Sequence, residues 1–396
     1  MNRWHPSNFT VYLIFFLLCF IPTNIFFIDG IDSLVLLVVT PLLLLFAISK
    51  YSYYLKNKEI RLYFIWFLWV CLTCLTALVP SYSFNLLKTI AGGMMMSLIY
   101  YLFSHERKLV PFLYAVYIVI LLAEIYYASH TFVGLDLGID TRANDEKLNA
   151  NSLAYMTFYS ICGIYLLGDL IRNNRISQAC RIAFFAMVFV AVYVAFITAS
   201  RQVLPTALTV WLLLFCQRYA KRLNAGKVIF IAIIAIVGFY LYSHMFESMY
   251  SGSLLAARTE HTDQTDTRFL IILEALDISK THLLFGIGPG NFVHVSQLGI
   301  FSHNSYAEIL VSSGIMGLIL YLTIVVQFIK NQLKRYRITN DSVFFTFFLI
   351  GFIWAVYNLL YVFYVGVYLI PFLFLLMGHS DAIYKEKQFK SIRKIG

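Results

Sequence analysis

The chain has 396 residues, of which 60% are hydrophobic and only 13% charged, against roughly half and a quarter in soluble globular domains, and this excludes a soluble enzyme. A formal charge of +10 would point to nucleic acid in a soluble domain. Here the basic residues sit in short loops between apolar runs and report membrane topology, so no nucleic-acid partner is expected. Cys19, Cys71, Cys74, Cys162, Cys180 and Cys216 all lie in or at the edge of apolar runs, which implies no disulfide framework.

In chain order, runs long enough to cross about 30 Å of hydrocarbon as helices fall at 9–28, 31–49, 60–79, 84–103, 109–129, 152–171, 181–199, 202–217, 227–244, 304–329, 342–363 and 365–379. Lipid offers the backbone no hydrogen-bond partners, and none of the runs alternates as a barrel strand does. The fold class is therefore all-α: a polytopic membrane protein of about 12 transmembrane helices, read as one domain over 1–396. The first run follows Arg3 but lacks a small-x-small cleavage site, so it is read as a retained helix. Of the 30 Lys and Arg, 23 lie in one set of alternate loops and 6 in the other, while Lys88 lies about one turn inside the fourth span. This bias puts both termini on the cytoplasmic side.

The outer face carries two polar segments, 130–151 and 245–303. In the second, Phe269, Ile272, Leu273 and Leu276 recur at helical spacing. They predict an amphipathic helix over about 267–280, lying on the membrane surface or over the bundle. Three outer basic residues stand where helices should begin: Arg201 after Ser200, Arg268 after Thr267, and His303 after Ser302. A cation in a first turn opposes the helix dipole unless an anion lies between them. Guanidinium forks and unpaired helix N–H groups together suit a phosphate or pyrophosphate. The plainer reading is that each arginine snorkels to headgroups or pairs with Glu260, Asp263 or Asp266. If His303 caps the tenth span, the positive helix end favours neutral imidazole, a base-competent state.

From Asp266 to Leu322 the chain reads DTRFLIILEALDISKTHLLFGIGPGNF, then HNSYAEILVSSGIMGLILYL. This resembles the O-antigen ligase and polymerase superfamily, with its D-x-R, G-x-G-x-x-x-F, H-N and G-I-x-G elements. ITASRQ at 197–202 looks like the family's T-G-S-R-G, and NANSLA at 149–154 like its N-P-N-x-x-A. Ala199, Gln202, Ala150 and Leu283 depart from the family's usual glycines and prolines.

The resemblance implies a bacterial inner-membrane glycosyltransferase with its active site on the outer face. Such an enzyme takes a glycan from undecaprenyl diphosphate and joins it to an acceptor sugar hydroxyl. The acceptor glycan is lipid A core for a ligase, the narrowly favoured subtype, or a second lipid-linked glycan for a repeat-unit polymerase. Arg201 and Arg268 would bind the diphosphate in place of a metal, and His303 would orient or deprotonate the acceptor hydroxyl for inverting attack. Asn304, Glu308 and Asp266 join these as substrate-binding candidates, and Arg142, Asn149 and Asn151 as weaker ones. No metal or cofactor is expected. Membrane lipids are expected partners, and the resemblance leaves room for polysaccharide-assembly proteins. A different class, a transporter or flippase for an anionic lipid-linked substrate, would also need cationic sites, but with polar residues deep in the bundle and two related halves.

Other signals carry less. Cys71-x-x-Cys74 lies mid-span, where cysteine is an ordinary small apolar residue. The GIGPG run at 286–290 follows no strand and reads as a tight turn that positions the next loop, ahead of a phosphate cradle. Lys88 and Glu124 are read as intramembrane charges, either paired with each other or bordering an acceptor path, so Lys88 is also a binding candidate. Aromatic side chains near Phe292 and Tyr306 are candidate sugar platforms.

Overall fold

A computed structural model describes residues 5–27, 34–132, 150–171, 173–198, 202–219, 267–364, 366 and 369–392. The elements are α1 (Asn8–Phe27), α2 (Thr40–Tyr51, entered through a π-helical turn at Val35–Val39), α3 (Lys58–Thr73), α4 (Pro80–Phe103), α5 (Val110–Phe132), α6 (Ala150–Leu170) and α7 (Asn174–Thr198). They continue with α8 (Val203–Tyr219), α9 (Thr267–Thr281), a short α10 (Phe292–Val295), α11 (Ser305–Thr339), α12 (Ser342–Tyr357) and α13 (Pro371–Ile392). Among the described residues seven helical segments are long and apolar enough to cross a membrane. The protein is thus an all-helical, multi-pass membrane protein. The span read at 227–244 lies outside the described residues.

The chain divides into two compact units, one of Met1–Ile21, Gly30–Leu113 and Thr265–Gly396, the other of Pro22–Asp29 and Tyr114–Gln264. In the second unit α6, α7 and α8 pack on one another. Phe184 stacks on Trp211 at 5.6 Å, and the indole N–H of Trp211 donates to the Phe184 carbonyl at 2.9 Å. Glu124 is fully buried in this unit.

In the first unit α4 packs on α2 and α13, while α11 packs on α3, α9 and α12. The geometry of this unit turns on Gly314, where α11 adopts φ 71° and ψ −175° and its ladder is broken. A broken ladder leaves carbonyls without their i+4 donors, and a buried carbonyl must find another. The 282–288 loop supplies them: Ile287 N–H donates to the Val311 carbonyl and Gly288 N–H to that of Ser312, both at 2.9 Å. In return Ile315 N–H, past the break, donates to the Leu283 carbonyl at 2.8 Å. Trp69 Nε1–H takes the Ser313 carbonyl at 2.8 Å. Glycine is required on both sides of this contact. A Cβ on Gly314 would run into the Leu284 carbonyl, and one on Gly286 would lie 2.5 Å from the Ser312 carbonyl carbon.

Two boundaries differ from those read in the sequence. Helix α11 runs ten residues past the expected end at 329, because Lys330, Lys334, Arg335 and Arg337 stop an apolar run without stopping a helix; Asn340, in the left-handed region at φ 50°, ends it. Helix α12 stops at Tyr357, and the chain re-enters helix only at Pro371. Part of the intervening backbone packs on α11: Ser305 N–H donates to the Asn358 carbonyl at 2.8 Å, and Ser305 Oγ donates to the Tyr361 carbonyl at 2.7 Å. Irregular backbone is tolerated at membrane depth when protein satisfies it, and apolar content alone does not reveal it.

At the far end of α11 a polar network ties four elements. Asp381 pairs with Arg335 and accepts from Asn57 Nδ2 at 2.5 Å and the Tyr101 hydroxyl at 3.0 Å. His105, in the turn after α4, donates through Nδ1 to the Tyr101 carbonyl at 2.9 Å and stacks on Tyr54 at 3.7 Å, while its Nε2 is buried without a partner among the described residues. Burial pushes the imidazole down to about 4, against a partial upward pull from Asp381.

Two outcomes follow for stability. Gly314→Ala should destabilise the first unit by about 3 kcal/mol, the sum of backbone strain and overpacking, read as a lowered thermal midpoint in detergent. Because the His105 imidazole is held below its ordinary value, the unfolded chain binds the extra proton between about pH 6.5 and 4. Stability should therefore fall as pH drops through that window. His105→Asn, which keeps an N–H donor and cannot ionise, should flatten the fall in melting curves recorded from pH 7 to 4.

Candidate active site

The loop that closes the break in α11 also aims the chain toward His303. Asn291, fully buried, accepts from Val79 N–H at 2.7 Å and donates to Ser83 Oγ at 2.7 Å, and Ser83 Oγ donates to the Pro289 carbonyl at 2.8 Å. The N–H groups of Gly286, Ile287 and Gly288 all donate to protein carbonyls. The GIGPG run is thus a structural turn, as its sequence context indicated.

Helix α9 forms where the amphipathic pattern placed it, but the face turned to the protein is Ile271 and Ala275, packed with Ile287, Phe292, Ala307 and Val311. Phe269, Leu273 and Leu276, with Leu270, are exposed instead. The helix has apolar side chains on two faces, one for the bundle and one directed away from it. Glu274 Oε1 accepts from Gln297 N–H at 2.8 Å and so ties α9 to the turn before His303. Phe292 is fully buried in the α9–α11 core, and the Tyr306 hydroxyl donates to the Ala355 carbonyl at 2.8 Å. The expected sugar platform is corrected at Phe292: the ring fills core volume that a glycine-rich turn beside two helices leaves open.

His303 has φ 54°, the left-handed region that a side chain with a Cβ rarely takes. Its neighbours hold it there. Ser302 N–H donates to Glu308 Oε2 at 2.8 Å, and Ser302 Oγ donates to the Asn304 carbonyl at 3.0 Å. Asn304, not His303, is the N-cap of α11: its Oδ1 accepts from Tyr306 N–H at 2.9 Å and Ala307 N–H at 3.1 Å. This corrects the expectation that His303 might cap the helix. Glu308 is fully buried, with Oε1 unpartnered among the described residues. Its carboxyl group lies in the first turn of α11.

The structure therefore brings together His303, Asn304 and Glu308. Arg268 is the second residue of α9, at the helix start expected of it, and Asn151 is in the first turn of α6; their side chains lie outside the described residues, as do Arg142, Asn149, Arg201 and Asp266 entirely. Lys88 is corrected from a buried charge to an exposed one, its ammonium donating to Asn85 Oδ1 at 3.2 Å one turn back along α4. Sequence reasoning passed over Ser302, Asn291 and Asn358. Ser302 alone had a local signal, standing two residues before a capping asparagine.

The architecture is that of an integral membrane protein presenting a strained, braced histidine at the mouth of a long helix. Comparison with known families places that histidine in context: the family model described as O-Antigen ligase matches residues 185–322, about a third of the chain, from within α7 to within α11. This match supports the resemblance to the O-antigen ligase and polymerase superfamily read from the motifs. The match takes in Arg201, Arg268, Asp266, His303, Asn304 and Glu308, and leaves out Lys88, Arg142, Asn149 and Asn151. Comparison with curated proteins finds no match.

Glu308→Ala should orphan the buried Ser302 N–H, at a cost of about 1–3 kcal/mol, and speed hydrogen exchange at 302–304. Glu308→Gln, which keeps an acceptor oxygen, should leave exchange there near the native rate.

Proposed function

We propose that the protein transfers a glycan from undecaprenyl diphosphate to an acceptor sugar hydroxyl at the outer leaflet, as an O-antigen ligase-like enzyme of the inner membrane. The observation that carries this reading is His303, held in left-handed backbone at the start of α11 inside the segment that matches the family model. In the proposed reaction the acceptor oxygen attacks the anomeric carbon and the bond from that carbon to the diphosphate oxygen breaks. The diphosphate leaves with the electron pair, and the hydroxyl proton passes to the His303 imidazole. Inversion follows from attack opposite the leaving group.

Arg268 and Arg201 would stabilise the charge that grows on the diphosphate, through forked, oriented donors that need no metal. Asn304 and Glu308 would act on His303, since their oxygens are engaged by backbone N–H groups on either side of it. The exposed Phe269, Leu270, Leu273 and Leu276 on α9, with Leu298 and Ile300 in the turn before His303, support a site seated against lipid, where a polyprenyl donor resides.

The test is reconstitution of the purified protein with undecaprenyl-diphosphate-linked repeat units, with and without lipid A core, followed by gel and mass spectrometry. Product only with core indicates a ligase; lengthening of lipid-linked chains without core indicates a polymerase. His303→Ala should reduce either activity by about 10²-fold or more, the scale of a lost general base. Full activity in a correctly inserted His303→Ala protein would overturn the assignment.

A further inference from the structure

Arg335 lies near the end of α11 remote from His303. There the first unit holds a cleft of about 340 Å³, whose walls include Tyr53, Lys56, Glu59, Arg335, Asp381 and Lys385. Its charges do not balance internally. Asp381 is saturated by Arg335, Asn57 and Tyr101, and Arg335 also donates to Ser380 Oγ at 2.7 Å. Glu59, buried, accepts from Asn331. Lys56 and Lys385 are left without an ion pair among the described residues, yet both ammonium groups converge on one ring, 5.9 and 5.8 Å from the centre of Tyr53. Lys385 also lies 4.6 Å from the centre of Tyr54. Burial lowers the Lys385 pKa, Asp381 offsets part of this and Arg335 adds to it.

We propose that this cleft binds the phosphate of an anionic membrane lipid, with Lys56 and Lys385, beside the Tyr53 ring, as the phosphate ligands. Both ammonium groups border one ring in a cleft that carries more cations than anions, and a phosphate offers enough oxygens to accept from both. The lipid source follows from placement. Helices α2 and α3, which flank the turn carrying Tyr53 and Lys56, expose Leu42 and Leu45, and Ile65 and Leu68, along lengths that cross the membrane. Acyl chains of a headgroup held in the cleft would run along these side chains. The site is distinct from the proposed transferase site, at the other end of α11, and does not depend on that reading.

The experiment is native mass spectrometry of the full chain titrated with phosphatidylglycerol, phosphatidylcholine being the neutral reference. Lys56→Gln/Lys385→Gln removes the charges and keeps the stems; its thermal midpoint verifies folding, and Lys56→Arg/Lys385→Arg is the charge-retaining counterpart. Phosphatidylglycerol should bind the native chain and the double arginine variant at least tenfold more tightly than the double glutamine variant. Lys334→Ala/Arg337→Ala, exposed cations of the same helix end outside the cleft, should stay within twofold of native. Equal binding by the double glutamine variant, or equal loss in both charge-removed variants, would overturn the proposal in favour of diffuse surface charge. Displacement of phosphatidylglycerol by millimolar inorganic phosphate or glycerol phosphate would overturn the lipid assignment in favour of a soluble phosphate.

Discussion

A helix that breaks inside a membrane protein must hand its carbonyls to other donors, and in α11 the donors come from the loop that precedes it. Ile287 and Gly288 take the Val311 and Ser312 carbonyls, Trp69 takes that of Ser313, and Ile315 returns a bond to Leu283. Unsatisfied backbone groups cost several kcal/mol in an apolar setting, so this exchange fixes the loop as firmly as a helical turn would. The loop in turn fixes Asn291 and Ser83, hence the junction of α3 and α4. The glycines that look like a nucleotide-type loop take positive φ in close contact with protein, Gly286 against the backbone of α11 and Gly288 against Ala77 and Ser83.

The same economy governs the mouth of the helix. A residue at φ 54° with a side chain is strained, by about 1–3 kcal/mol, and persists only where its neighbours leave it no alternative. Ser302 and Asn304 are cross-bonded around His303, and Glu308 reaches back one turn to hold Ser302. Strain held by a buried carboxylate and a capping amide gives a fixed starting direction for the imidazole. Preorganisation of this kind is what proton transfer to or from a positioned group requires.

The legibility of the sequence tracked the strength of the physical constraint. Long apolar runs became helices, because lipid leaves the backbone no alternative, and α1 to α8 fall close to the runs read for them. The H-N pair and the glycine spacing were legible because a cap and a close backbone approach each admit few residue types. The buried irregular stretch between α12 and α13 was not legible, since Val362, Phe363 and Tyr364 are as apolar as any span and only their partners on α11 distinguish them. Nor was the buried face of α9, where isoleucine, leucine and phenylalanine occupy both sides and Ala275 marks the packed one. Lys88 was misread because a charge within a run was taken to be inside the bundle, whereas side chains on the outer surface of α4 have only a short path to polar neighbours.

The division of labour between His303 and Asn304 bears on chemistry. Had the histidine been the N-cap, its ring would be committed to a backbone N–H, and a ring nitrogen accepting that bond could not also accept a proton from a hydroxyl. Because Asn304 Oδ1 takes the N–H groups of Tyr306 and Ala307, capping makes no demand on the imidazole one residue earlier. Glu308 meanwhile places one carboxyl oxygen on Ser302 N–H, the residue before the histidine. Helix capping and the brace on Ser302 are thus assigned to Asn304 and Glu308, on either side of the strained backbone of the residue that the motif reading singles out as the base.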